Sequence, residues 1–318
     1  MLLLVGCGGV EPPLPAIGGA PDRDGLSGWR RFAIDRVLDS RVSSGARSGF
    51  VALAARSGRV VYARTTGMAD IEAGVPMTLE TRFHLASMSK AITAVAALIL
   101  IEEGRLALDD PIADHLPEFA DVQVVTSRDG DGEFETAPLE DPILVRHLLT
   151  FTSGIGGYEE SDDPLDRHWR SPDIEIAGLG SLADRIRHVA SRPLYERPGT
   201  RWRYGWSADV LARIVEVASG TPFDTFLRDR LFEPLGMNRT GFPDDVPEDT
   251  PFARMYTHDE AGDLVREPRF DDYYGSGWTP GGGGMVGTGP DYLRFAMMLA
   301  GGGELDGIRI LREETVAE

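Results

Sequence analysis

Ser87 and Lys90, at the start of an apolar stretch predicted to be helical, could together form an activated nucleophile in Ser87-Met-Ser-Lys90. A spacing of three residues places both side chains on one helical face, so the amine can reach the hydroxyl. A serine hydroxyl becomes nucleophilic when a neighbouring base accepts its proton. The amino end of a helix also favours the negative charge that develops when serine attacks a carbonyl. The spacing alone is a weak signal in a chain of this length.

The basic residues make this interpretation of Lys90 more specific. Of 32 basic residues, 31 are arginine and one, Lys90, is lysine. Arginine keeps its proton near neutral pH, whereas lysine releases it when its surroundings disfavour the charged form. We expect the aliphatic side chains that follow to bury the amine and have that effect. The alternative role for Ser87 is a helix N-cap, for which Ser89 competes.

Two further residues are candidate proton carriers, Tyr204 and His147. Tyr204 precedes an amphipathic helix predicted over 210–219 and ended by Gly220. A tyrosine at such a turn can project into a cleft, where its phenol relays a proton. The alternative for Tyr204 is a half-buried aromatic side chain with a satisfied hydroxyl. His147 precedes two leucines, and we interpret it as structural.

The composition argues against several classes of function. The 32 basic and 51 acidic residues give a net charge of −19, which argues against a nucleic-acid partner. The single cysteine, Cys7, allows neither a disulfide framework nor a thiolate metal cluster within one chain. The histidines fall into neither an HxH nor an HExxH spacing, which argues against a zinc enzyme. The chemistry of a serine with a nearby base implies neither a metal nor an organic cofactor, and we predict none.

The elements that would position these residues are visible as local patterns. Helical periodicity runs from Trp29 to Val42, and a second helix is predicted over 91–102, closed by Gly104. The β-rich runs 49–55 and 59–65, separated by Ser57-Gly58, predict a hairpin. The acidic segment 127–141 is expected to be a solvated loop or hairpin, since it lacks the final glutamate of a calcium-binding loop. The segment 158–180, with Trp169, is either a loop over the cleft that selects substrate or a merely solvated loop.

The order of these motifs resembles the serine β-lactamase/penicillin-binding-protein-like superfamily, nearest its class C and family VIII esterase branch. The resemblance runs from about Gly49 to the last residue, and its blocks are Phe83–Lys90, His147–Gly154, Pro198-Gly199, Tyr204, Pro234–Met237 and Gly281–Asp291. It implies Ser87 as the nucleophile, Lys90 as its base and Tyr204 as the tyrosine of a Tyr-x-Asn motif. It also implies an α/β (α+β) fold of the β-lactamase/transpeptidase type, with an antiparallel sheet flanked by helices and a mostly helical domain.

The chain departs from the family pattern at two points. Trp206 occupies the asparagine position of Tyr-x-Asn, which removes a polar contact for β-lactams and offers apolar area to an ester. No candidate for the third motif of the family (Lys-Thr-Gly, His-x-Gly or Trp-Gly-Gly) precedes Glu318. The resemblance implies on the order of 80 to 100 further residues, about two-thirds of a typical domain length. We therefore expect the C-terminal strands to be missing.

These observations predict a domain arrangement and a function. Residues 28–88 and 271–318 are expected to form an incomplete sheet domain, and residues 89–270 a mostly helical domain. The predicted function is a serine hydrolase acting through an acyl-enzyme on carboxylic esters. The first alternative is a β-lactamase or D-alanyl-D-alanine carboxypeptidase, and the second is an inactive fragment that lacks the third motif. The expected partner is a small-molecule ester or β-lactam, and no oligomeric state is predicted.

The first 27 residues resemble a leader and flexible linker. Leu4-Val-Gly-Cys7 resembles a bacterial lipoprotein box, in which the cysteine is lipidated, although no basic segment precedes it. A Gly/Pro-rich stretch follows, as a tether requires. The pattern predicts a cell-envelope protein, periplasmic or anchored to a membrane through Cys7.

Overall fold

A computed structural model describes residues 26–128, 133–157, 164–169, 180–245, 251–268 and 277–318. Cys7 lies outside these ranges, so its lipidation stays a prediction. The segment 158–180 lies outside them except for 164–169 and Gly180. Among the helices within the described ranges, none is long and apolar enough to cross a membrane.

Helices and short strands alternate along the described chain. The α-helices are α1 (Gly28–Ser43), α2 (Ser89–Glu102), α3 (Val145–Leu149), α4 (Pro164–Trp169), α5 (Leu182–Ala190), α6 (Ser207–Ser219), α7 (Phe223–Leu227), α8 (Glu233–Leu235), α9 (Gly289–Ala300) and α10 (Glu313–Ala317). The strands are β1 (Gly49–Arg56), β2 (Arg59–Asp70), β3 (Val75–Pro76), β4 (Arg82–His84), β5 (Gln123–Arg128), β6 (Phe134–Pro138), β7 (Tyr256–His258), β8 (Leu264–Arg266), β9 (Val286–Thr288), β10 (Glu304–Leu305) and β11 (Ile308–Arg309).

The predicted hairpin is present as β1 and β2, which pair antiparallel and continue into β3. Ser57 and Gly58 at its turn both have positive φ, 52° and 72°, as a two-residue turn that follows the twist of the strands requires. Helix α1 packs on β2, where the Tyr62 hydroxyl donates to Asp35 Oδ1 at 2.7 Å. Helix α9 packs on β1. The antiparallel sheet flanked by helices is therefore confirmed.

The core is organised around the contact between α2 and α6. Both helices present small or branched apolar side chains to each other, and Ile92, Ala96, Val210 and Ile214 are all fully buried. Gly220 ends α6 in the left-handed conformation, with φ of 69°, as the sequence predicts. Lys90 lies in the first turn of α2, Ser87 lies immediately before that helix, and Tyr204 lies shortly before α6.

Two predictions about loops have different outcomes. The acidic segment forms the β5–β6 hairpin around residues 129–132, which are not described. Trp169 lies on α4 rather than in an open loop, is 1% exposed, and donates through Nε1 to the Pro193 carbonyl at 3.1 Å. Trp169 is therefore a core residue, because its indole is satisfied inside the fold. The two alternatives for the rest of segment 158–180 fall on residues outside the described ranges and stay a prediction.

Candidate active site

Ser87 lies in a short 3-10 turn, Ala86–Met88, immediately before α2. Ala86 has a φ of 46°, a left-handed conformation that is costly for a residue with a side chain. Such strain is held in place by surrounding structure and is concentrated at functional sites. No side-chain cap hydrogen bond is formed at the start of α2, which does not support the N-cap alternative for Ser87.

Three predicted residues meet at this turn. Ser87 Oγ lies 2.5 Å from Tyr204 Oη and 3.3 Å from Lys90 Nζ. Lys90 Nζ also lies 4.7 Å from the centroid of the Tyr204 ring, within the range of a cation–π contact. Lys90 is half-buried rather than buried, and the groups around its amine are a hydroxyl, a phenol and the Gly282 carbonyl, to which it donates.

Tyr204 is held by the loop that contains Phe151. The Arg203 N–H donates to the Phe151 carbonyl at 2.7 Å, and the Arg203 guanidinium donates from Nε to Glu196 Oε2 at 2.8 Å. The Phe151 ring stacks on the Tyr204 ring at 5.7 Å with an interplanar angle of 12°. The phenol therefore has a fixed direction before any substrate arrives.

The charges at the site favour ionisation of Tyr204. Burial raises the pKa of the phenol, but hydrogen bonds from Lys90 and Ser87 and the positive charge of Lys90 outweigh that effect. The net result is a pKa of Tyr204 below its ordinary value of 10. His147 does not join this group, because its Nδ1 accepts from the Leu144 N–H at 3.1 Å and burial lowers the pKa of its ring. Its structural interpretation agrees with that contact.

Comparison with known proteins identifies the family. The family model described as Beta-lactamase matches residues 34–317. The chain belongs to the beta-lactamase family. Esterase EstB of Burkholderia gladioli is 36% identical over 281 residues, which cover 82% of this chain and 68% of EstB. An uncharacterized protein of Mycobacterium tuberculosis is 35% identical over 283 residues, covering 86% of this chain and 67% of that protein.

The solved structures agree with the fold of a beta-lactamase-family protein. EstCE1, described as a hydrolase with promiscuous acyltransferase activity, aligns with a TM-score of 0.73 at 29% identity. The alignment covers 91% of this chain and 75% of EstCE1. The predicted α/β (α+β) fold and superfamily are thus confirmed. The chain spans about two-thirds of the length of the curated relatives above.

The Trp206 side chain lies in the core, and not in contact with substrate as its place in the Tyr-x-Asn motif predicts. Its side chain is 4% exposed and belongs to the main hydrophobic core. The indole packs against Gly157, where an added Cβ would lie 2.2 Å from Trp206 Cδ1, and its ring centroid lies 6.3 Å from that of Trp278. We predicted that the Trp206 side chain provides an apolar contact for an ester substrate. This prediction is corrected, because the indole is already buried against other residues of the protein.

Two residues at the site were not predicted, Gly282 and Asp209. Gly282 accepts from Lys90, and its own N–H donates to Asp209 Oδ1 at 2.9 Å. A signal for Asp209 was present in the sequence, since it places a carboxylate beside Val210 and Leu211 at the start of an amphipathic helix. Charged groups in such positions are rarely buried without a specific partner. The described residues contain no group of three or more side chains suited to hold a metal ion.

Proposed function

We propose that this chain is a serine hydrolase that cleaves carboxylic esters through an acyl-enzyme. The observation that carries the proposal is the convergence of Ser87, Tyr204 and Lys90 at one exposed turn. A nucleophile within hydrogen-bond reach of a base, with a third group orienting that base, is the arrangement that covalent catalysis needs. The likeness to Esterase EstB and to the hydrolase EstCE1 supports esters as the substrate class.

In the proposed reaction, Ser87 Oγ forms a bond to the ester carbonyl carbon and its proton passes to Tyr204 Oη. The negative charge on the carbonyl oxygen is stabilised in part by the Ser87 backbone N–H. The ester C–O bond then breaks, and the leaving alcohol takes the proton from Tyr204. Water repeats the sequence on the acyl-enzyme, which releases a carboxylic acid and restores Ser87.

The distances favour Tyr204 over Lys90 as the immediate proton acceptor. The phenol oxygen is 2.5 Å from Ser87 Oγ, whereas the amine is 3.3 Å away. A cationic Lys90 also lowers the pKa of Tyr204, which stabilises the phenolate that would accept the proton. We therefore assign to Lys90 the role of supporting the base, while the sequence predicted that it takes the proton itself.

The first experiment tests whether Ser87 is an activated nucleophile. The intact mass of the folded 318-residue chain is measured after exposure to a fluorophosphonate probe, with Ser87→Ala and Lys90→Met alongside. We expect a single adduct on the wild-type chain, none on Ser87→Ala and slowed labelling of Lys90→Met, which lacks the positive charge that lowers the pKa of Tyr204. The exposed Ser44 provides a matched control, and Ser44→Ala is expected to label like the wild type. A folded wild-type chain that gains no adduct contradicts the proposal and favours the inactive-fragment alternative.

The second experiment separates esters from the β-lactam alternative. The same Ser87, Tyr204 and Lys90 would serve a β-lactamase or D-alanyl-D-alanine carboxypeptidase, so only substrate preference distinguishes them. We expect kcat/KM for p-nitrophenyl esters of short acids to exceed that for a chromogenic cephalosporin. If kcat/KM is higher for the cephalosporin and Ser87→Ala abolishes both activities, the penicillin-recognising alternative replaces the ester proposal.

A further inference from the structure

Asp209 is a buried carboxylate that the proposed reaction does not use. It lies in the first turn of α6, five residues after Tyr204, and is 1% exposed. Burial raises its pKa from 3.8 to about 6, opposed by the Gly282 N–H and the charge of Lys90. Since burying a carboxylate is costly, its retention here calls for a specific contact.

That contact is with the peptide group between Gly281 and Gly282. The N–H of this peptide belongs to Gly282 and donates to Asp209 Oδ1 at 2.9 Å. The carbonyl of the same peptide belongs to Gly281 and accepts from Thr93 Oγ1 at 2.8 Å. Thr93 is fully buried on α2, so the peptide is tied on one side to α2 and on the other to α6.

Close packing reinforces these two hydrogen bonds. A Cβ added at Gly282 would lie 2.6 Å from Asp209 Oδ2, and a Cβ added at Gly281 would lie 2.6 Å from the Ala208 carbonyl oxygen. A Cβ at Gly281 would meet the backbone of α6, and a Cβ at Gly282 would displace the Asp209 carboxylate, so both positions favour glycine. The orientation of the peptide fixes the next carbonyl along the chain, that of Gly282, which accepts from Lys90 Nζ.

We propose that Asp209 is a positioning residue, which holds the Gly281–Gly282 peptide so that the Gly282 carbonyl keeps Lys90 beside Ser87 and Tyr204. This inference rests on the proposed function. Among the described residues, charged and titratable groups face Asp209 from three elements: Lys90 from α2, Arg185 from α5 and Tyr204 from the segment before α6. The glycine peptide itself carries no titratable group.

The test compares two variants of Asp209 with two other buried positions. Asp209→Ala removes the acceptor for the Gly282 N–H, whereas Asp209→Asn keeps an oxygen there and removes the charge. Thr93→Val removes the hydrogen bond on the other side of the same peptide at nearly constant shape. Asp291→Asn is the matched control, because Asp291 is also a buried carboxylate but accepts from the Arg239 N–H at 2.8 Å, on a different loop.

Each variant is first checked for folding by circular dichroism and thermal melting, and then kcat and KM for an ester are measured across a pH series. We expect Asp209→Ala and Thr93→Val to lower kcat about tenfold or more with little change in KM. Asp209→Asn should keep most of kcat. The acidic limb of its kcat–pH profile should move to lower pH, because the negative charge of Asp209 raises the pKa of Tyr204. Asp291→Asn should match the wild type.

The outcomes separate this inference from the proposed function. A wild-type chain without esterase activity or fluorophosphonate labelling refutes the proposed function itself. An active wild type with unchanged kcat and pH profile in folded Asp209→Ala and Thr93→Val overturns the positioning role alone. An equal loss in Asp291→Asn would also overturn it, since the effect would then be that of any buried carboxylate. If Asp209→Ala does not fold, Thr93→Val decides the question.

Discussion

Tyr204 Oη lies 2.5 Å from Ser87 Oγ, although 117 residues separate them in the chain. The contact joins the turn that begins α2 to the segment that leads into α6. These two helices pack against each other through fully buried side chains. The geometry of the nucleophile therefore depends on the packing of two helices in the buried core, as a preorganised site requires.

Replacing Tyr204 with phenylalanine removes the immediate proton acceptor and keeps the aromatic ring. We expect Tyr204→Phe to lower kcat for ester hydrolysis by about 10²–10⁴-fold, the usual range for a lost general base. The ring should still stack on Phe151, so the melting temperature should change little. Steady-state kinetics with thermal melting tests this, and retention of wild-type kcat would exclude Tyr204 as the base.

The pH dependence of labelling follows from the ionisation of Tyr204. The base must be deprotonated, so fluorophosphonate labelling should fall as pH drops through the pKa of Tyr204, which lies below 10. Lys90→Met removes the hydrogen bond and positive charge that lower this pKa, so the same limb should move to higher pH. Labelling rates of the wild type and of Lys90→Met across a pH series give the pH at which each rate falls. If both rates fall at the same pH, the assigned role of Lys90 is wrong.

Trp206 is expected to affect stability rather than substrate choice. Trp206→Ala empties a buried site, and we expect a loss of about 3–5 kcal/mol in the free energy of unfolding. Trp202, which is 63% exposed, is the matched control, and Trp202→Ala should change that free energy by less than ~0.5 kcal/mol. Urea denaturation of the two variants measures this difference. If Trp206→Ala and Trp202→Ala have nearly equal free energies of unfolding, the core role of Trp206 is wrong and a contact with substrate is favoured again.

The raised pKa of Asp209 predicts a pH-dependent stability. The folded state favours its neutral form, so its contribution is fully present below about pH 4 and is lost as pH rises through about 6. The free energy of unfolding of the wild type, relative to Asp209→Asn, should therefore decrease over that interval. Urea denaturation of both proteins at several pH values measures the difference. A constant difference would show that the pKa of Asp209 is not raised.

The sequence predicted the pieces of the site whose chemistry is local. Ser87 and Lys90 are three residues apart, and the single lysine marked the pair. Tyr204 was found by its place before a helix and by the family pattern. The contacts of Gly282 with Lys90 and Asp209 could not be predicted from local patterns. These residues meet only after α2, α6 and the glycine-rich segment 281–284 have packed together.

Trp206 shows the corresponding limit for the role of one side chain. Its place at the asparagine position of the family's Tyr-x-Asn motif indicated a contact with substrate. Successive residues around a turn point in different directions, and Trp206 points into the core, where it is 4% exposed. The hairpin and helices were predicted because their periodicity and turn residues are local properties.

The single lysine of this chain also makes the site directly observable. Reductive methylation with ¹³C-formaldehyde modifies amines and leaves arginine untouched, so Lys90 and the terminal amine are the only groups that would acquire the isotope. The resulting NMR spectrum would contain one lysine signal, which comes from the half-buried amine beside Ser87 and Tyr204. The charge of that amine could then be followed through a pH titration and on acylation of the neighbouring serine, without assigning any other resonance.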